Sequence, residues 1–222
     1  MKHDIFSKYM TRMLAGALLL AAAGFFLGCE DGGNDEPAAS APPHDFGSND
    51  PNLVVALGDS ITEAGYPQLL DAMIPKSVVN LGNGGDHSGE GADRVDDVLS
   101  AYKPGYLLIL YGACDILHSR GADSTIYNLR YMIEAAKANK TFPIVATLTP
   151  MAYSHEMWNG MVPLLNTQIV ALASETGAGL ADLAKAFEGH EAEYLVSDGL
   201  HPTTNGSAAI AETFLDAILA QP

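Results

Sequence analysis

The sequence predicts an α/β fold in which a parallel sheet lies between two layers of helices. After Pro51, short apolar runs alternate with longer stretches of helical period. Runs that are apolar throughout, such as Leu53 to Leu57, imply strands buried on both faces. The chain has 222 residues, of which 48% are hydrophobic, enough for one substantial core with a short appendage.

In chain order, Met1 to Leu27 carries Lys2, Lys8 and Arg12 ahead of an apolar run from Met13 to Leu27. This is the charge and hydropathy order of an export signal, so residues 1–28 are set aside from the fold. The run is about 15 residues, short of the ~20 that a spanning helix needs; an uncleaved signal anchor is the alternative. Residues 29–51 are rich in Gly, Pro, Ala, Ser, Asn and acid (D-G-G-N-D-E-P-A-A-S-A-P-P), with too little apolar content to offset ordering entropy, and read as a flexible tether.

The folded domain is expected over 52–222. Leu53 to Leu57, Ser77 to Leu81, Tyr106 to Tyr111, Ile144 to Leu148 and a short Gly179 to Ala181 read as strands. Pro67 to Met73, Glu90 to Ala101, Ser124 to Lys140, Val162 to Thr176 and Gly206 to Ala220 read as helices, the last with Ile210, Phe214 and Ile218 on one stripe.

Ligands of open parallel sheets bind beyond the carboxyl ends of the strands, which directs attention to the segments following them. Leu53 to Leu57 runs into Gly58-Asp59-Ser60, a glycine turn that presents Ser60 at the head of a helical turn. There Ser60 can serve either as a nucleophile near converging backbone amides or as a helix cap. Far downstream, Asp198-Gly-Leu-His201-Pro202 sets an acid three residues before a histidine in one loop. A catalytic base needs its imidazole held by an acceptor, and Asp198 stands within reach; by itself the pair also fits a surface turn.

Together these segments resemble the SGNH or GDSL hydrolase superfamily: G-D-S-I-T at 58–62, N-L-G-N-G-G-D-H-S from Asn80, Y-G-A-C-D from Tyr111 and D-G-L-H-P at 198–202. The resemblance runs from about Asn52 to the C-terminus. It implies a three-layer α/β/α, flavodoxin-like SGNH hydrolase fold with a five-stranded parallel sheet, and serine esterase or lipase activity without a cofactor. By position it implies Ser60 as nucleophile, His201 as general base and then acid, and Asp198 as the group orienting the histidine. Gly85 and the amide of Ser60 would hold the oxyanion.

The third block departs from the family's Gly-x-Asn-Asp, reading Gly112-Ala113-Cys114-Asp115. Cys114 replaces an amide donor with a weak one. Asn83 and His87 are candidate substitutes, and Cys114 is open to a second reading as a nucleophile. Asp59 and Asp115 read as holders of loop amides. Met151, Tyr153, Met157, Trp158 and Met161 read either as an acyl or sugar contact surface or as ordinary packing.

The apolar leader ends Phe-Phe-Leu-Gly-Cys29, which resembles a bacterial lipobox and implies lipidation of Cys29. Cys114 would then be left without a partner; without lipidation a Cys29–Cys114 bridge is allowed. The expected setting is an exported, membrane-anchored lipoprotein of the cell envelope.

A net charge of −16 weighs against nucleic acid as a partner. His44, His118, His155 and His190 lack metal-ligand spacings, so no metal is expected. The expected substrates are small or medium acyl esters, including lysophospholipid and acetylated glycan. The alternative is a catalytically weakened, lipid-anchored module that binds glycan or lipid.

Overall fold

A computed structural model describes residues 43–221 of the chain. The leader, Cys29 and most of the tether lie outside the described residues.

Five strands form one sheet: β1 (Asp50–Gly58), β2 (Ser77–Gly82), β3 (Pro104–Leu110), β4 (Phe142–Ala146) and β5 (Gly179–Ala181). Their order is β2-β1-β3-β4-β5, with every pairing parallel. Val54 sits opposite Val78 on one side and Tyr106 on the other. All seven residues of β3 are buried, as are Val54 to Gly58 of β1, because helices cover both faces.

One layer contains α2 (Tyr66–Met73) packed on α9 (Thr204–Leu219); Tyr66 stacks on Phe214 with ring centroids 5.1 Å apart. In the other, α5 (Ala122–Ala138) lies between α3 (Ser88–Tyr102) and α6 (Val162–Thr176). Shorter helices sit in the connections: α1 (Ser60–Glu63), α4 (Ala113–Leu117), α7 (Leu183–Phe187), α8 (Glu191–Tyr194) and a 3-10 segment, Tyr153–Met161. Among the described residues no helix is long and apolar enough to cross a membrane.

The sequence-based tether runs too far. The packed body begins at His44, whose ring meets Phe142, while Phe46 packs on Tyr106 and Asp45 pairs with Lys140. Buried Asn49 donates through Nδ2 to the Asn139 carbonyl and to Thr141 Oγ1. Composition averaged over the segment hides these few anchors at the end of a Pro- and Gly-rich run.

Strand β4 also sits two residues earlier than expected. Its apolar run continues to Leu148, but there Asn166 takes over as backbone partner, accepting from the Leu148 amide at 2.7 Å and donating to its carbonyl at 2.9 Å. A side chain thus stands in for a neighbouring strand.

The order 2-1-3-4-5 puts a topological switch between β1 and β3, because the chain leaves β1 to one side and later returns to the other. Crevices open at such points beyond the carboxyl ends of the strands. The loops after β1, β2 and β3 therefore converge there.

Candidate active site

Ser60 is the first residue of α1, immediately after the Asp59 N-cap. The turn is made tight by close approach: a Cβ on Gly58 would lie 2.0 Å from Thr62 Oγ1 and 2.7 Å from the Leu110 carbonyl. A Cβ on Gly82 would meet the Glu63 amide nitrogen at 2.2 Å. Glycine at both strand ends lets β1, β2 and α1 come together under Ser60.

Asp198 and His201 arrive from the loop between α8 and α9, whose base is closed by a bridge between Leu195 and Pro202. His201 Nε2 lies 2.9 Å from Ser60 Oγ, and its Nδ1 lies 2.7 Å from Asp198 Oδ2. The other carboxylate oxygen, Oδ1, accepts from the amides of Leu200 (2.8 Å) and His201 (3.0 Å). Partial burial raises the Asp198 carboxyl, but the hydrogen bonds from the His201 ring and the two amides outweigh it and hold the group below its ordinary value. With Nδ1–H directed at Asp198, the Nε2 lone pair faces the serine hydroxyl. This arrangement can move a proton from hydroxyl to imidazole.

Gly85 has a φ of +87°, and a Cβ there would meet nothing within 4 Å. Its neighbour Gly84 borders the serine, since a Cβ on it would stand 3.8 Å from Ser60 Cβ. The loop is pinned by the Asn83 amide donating to the Gly58 carbonyl at 3.0 Å and by the Asn83 side chain donating to Asp86.

Arg94, on α3, had no signal in the sequence beyond being a helical arginine. It pairs with Asp86 at 3.3 Å and donates to Tyr111 Oη at 2.7 Å and to the Gly58 carbonyl at 3.3 Å. One guanidinium thereby ties together the ends of β1 and β3 and the glycine loop.

Asp115 holds loop groups as expected. It accepts from the Ser88 amide (2.9 Å), Ser88 Oγ (2.6 Å) and Thr125 Oγ1 (3.1 Å), fastening the start of α3. His87 caps that helix, its amide donating to Glu90, and its ring packs 4.7 Å from that of His118.

Cys114 is buried on α4. Burial pushes its thiol up to about 12, helped by the negative charges of Asp59, Asp115, Asp86 and Glu90. Burial and the surrounding carboxylates disfavour the thiolate, which weighs against the nucleophilic reading of Cys114.

The apolar cluster after β4 divides. Met151 is buried in the body, whereas Tyr153, Met157 and Met161 are exposed, Met157 at 80%. Among the described residues there is no group of three His, Cys, Asp or Glu side chains able to hold a metal ion.

Asp59 is the most perturbed acid of the site. Burial pushes its carboxyl from 3.8 up to about 7; the Ile61 amide, 2.9 Å from Oδ1, pulls it down, Asp115 pushes it up and His201 pulls it down. A carboxyl raised on folding gives its full stability below its unfolded value, and that stability is lost as pH rises through about 7. Asp59→Asn keeps an oxygen for the Ile61 amide and removes the titration. We expect its melting temperature to exceed the parent's at pH 8 by roughly 5–10 °C, from about 2–4 kcal/mol, and to match it near pH 4. Thermal melts of both proteins across that pH range check this, and parallel curves would contradict it.

Comparison with known proteins agrees with this fold. The model of the GDSL-like Lipase/Acylhydrolase family matches residues 56–209. Thioesterase 1/protease 1/lysophospholipase L1 of Escherichia coli (strain K12) is 25% identical over 171 residues, spanning 72% of this chain and 80% of that protein. Among solved structures, a GDSL-like lipase from Bacteroides thetaiotaomicron VPI-5482 superposes with a TM-score of 0.65 at 24% identity, covering 76% of this chain and 88% of that one. An acetylxylan esterase from Geobacillus stearothermophilus gives 0.66 at 21%, covering 77% and 95%. These two structural likenesses speak for the fold. With a family match that spans most of the chain, from the middle of β1 into α9, the protein belongs to the GDSL-like lipase/acylhydrolase family and is a carboxylic ester hydrolase.

Proposed function

We propose that the protein hydrolyses small or medium acyl esters by two-step acyl transfer through Ser60, His201 and Asp198. The observation that carries this reading is the unbroken contact series from Ser60 Oγ to His201 Nε2 (2.9 Å) and from His201 Nδ1 to Asp198 Oδ2 (2.7 Å). In the first step Ser60 Oγ bonds to the ester carbonyl carbon while its proton passes to His201 Nε2. The carbonyl oxygen becomes an oxyanion held by the amides of Ser60 and Gly85. Collapse breaks the bond to the alcohol, which leaves with the proton from His201. Water then repeats the sequence on the acyl-enzyme, releasing the acid and restoring Ser60.

Asp198 stays ionised throughout and stabilises the imidazolium. Cys114 occupies the position of the family's asparagine, so the oxyanion hole rests mainly on two backbone amides, a thiol being a weak donor.

The acyl-ester reading takes in lysophospholipids and acetylated glycans. It draws on the curated relative, a thioesterase and lysophospholipase, and on the fold shared with an acetylxylan esterase. Exposed Tyr153, Met157 and Met161 give the side of the site formed after β4 an apolar surface suited to an acyl group. Export and anchoring through Cys29 are part of the same proposal and rest on the leader sequence alone.

A fluorophosphonate probe tests the nucleophile. It should form a stable adduct on the peptide containing Ser60, mapped by mass spectrometry, and should not label Ser60→Ala. Absence of any adduct, or an adduct that persists in Ser60→Ala, would refute the assignment.

A further inference from the structure

The acid of the relay is gripped from its backbone side as well as through its carboxylate. The Asp198 carbonyl oxygen accepts two side-chain hydrogen bonds, from Ser154 Oγ at 2.7 Å and His155 Nδ1 at 2.7 Å. The next peptide is held by the same segment, since the Ala152 amide donates to the Gly199 carbonyl at 2.8 Å. Tyr153 stands between these donors at a φ of +50°, a conformation L-residues rarely adopt. Such strain persists only where the surroundings demand it, and here it lies in a segment whose donors on either side converge on one dipeptide. The His155 ring is backed by Trp158, centroid to centroid 5.6 Å.

Other backbone hydrogen bonds of the Asp198 loop tie it to itself or to its neighbouring helix. The Val196 amide donates to the His201 carbonyl and the Thr203 amide to the Tyr194 carbonyl. These bonds close the base of the loop, whereas those from 152–155 secure its tip to the region following β4. The carboxylate that orients His201 takes its direction from this tip.

We propose that Ser154 and His155 are positioning residues that clasp the Asp198 carbonyl and thereby hold the carboxylate in line with His201. This rests on the reading of Asp198 as the orienting acid. His155 acts as a ring-borne N–H donor and carries no proton in the reaction. Ser154 and His155 each supply one of the two side-chain donors to that carbonyl, so their losses are expected to multiply. A displacement of about 1 Å at a catalytic group costs on the order of 100-fold in rate, so loss of both donors falls on turnover rather than on substrate binding.

The test is steady-state hydrolysis of a soluble aryl ester by the full chain, comparing Ser154→Ala, His155→Ala and the double variant. Each single change is expected to lower kcat about 3–10-fold and the double about 30–100-fold, with KM within about twofold. In the Ser154→Ala background, His155→Asn places an amide nitrogen near the position of Nδ1 and should bring kcat to within about threefold of Ser154→Ala alone. His155→Phe keeps a ring against Trp158, lacks the donor and should not recover.

A double variant with wild-type kcat overturns the proposal, as does equal loss in the Asn and Phe variants, which would assign the effect to packing. Should the double variant fail to fold, the Asn and Phe variants with Ser154 intact carry the same comparison. Activity retained in Ser60→Ala would instead overturn the underlying relay, independently of the clasp.

Discussion

Ser60→Ala is expected to lower kcat/KM for an aryl ester by roughly 10⁴–10⁶-fold, with His201→Ala close behind and the double variant little worse than either. The non-additivity follows from the geometry. His201 Nε2 has its reactive contact only through the serine hydroxyl 2.9 Å away; once the hydroxyl is gone, the imidazole has no nucleophile to activate. Removal of the imidazole, in turn, leaves Ser60 with a proton it cannot pass on. Asp198→Ala should cost less, about 10³–10⁴-fold, because an orienting acid acts through another group. Residual rate from the backbone amides would remain in all three. Three independent, additive losses would mean that the groups do not act as a unit.

Gly199→Ala is the second substitution with a large expected effect. Gly199 has a φ of +76°, and a Cβ there would lie 1.8 Å from the Ala152 carbonyl oxygen and 2.3 Å from its carbon. Both are backbone atoms, and Ala152 is itself bonded to the Gly199 carbonyl, so neither side can yield without breaking the contact between the Asp198 loop and the segment after β4. We expect kcat/KM to fall at least about 100-fold through misplacement of the acid, together with a loss of stability of about 3 kcal/mol or more. Gly177→Ala is the internal control. Its φ of +70° imposes comparable strain, but a Cβ there meets nothing within 4 Å, so a cost near 1 kcal/mol and normal kinetics are expected. Equal behaviour of the two variants would show that strain, and not the collision with Ala152, governs position 199.

Much of the architecture was legible because the information is local. Strands such as Tyr106 to Leu110, apolar at every position, announce burial on both faces. Gly58-Asp59-Ser60 announces a strand-to-helix turn, and the spacing of Asp198 to His201 lets one loop carry an acid and a base. The short helices Leu183–Phe187 and Glu191–Tyr194 were not legible, since four or five residues hold too little periodicity. The start of the packed body at His44 was missed for a related reason: its anchors pair with Lys140, Phe142 and Tyr106, about 60–100 residues away along the chain.

The sequence by itself determined the fold class, the five strands and the residue types able to perform acyl transfer, because hydrophobic period and short motifs are properties of neighbours along the chain. Only the tertiary structure decided that Arg94 joins three segments beneath the site, that Asp59 is buried so that its carboxyl is pushed up, that Cys114 lies buried, and that Ser154 and His155 grip the Asp198 carbonyl. Each of these depends on burial and on distances between groups far apart in sequence, which the sheet order and the switch between β1 and β3 bring together.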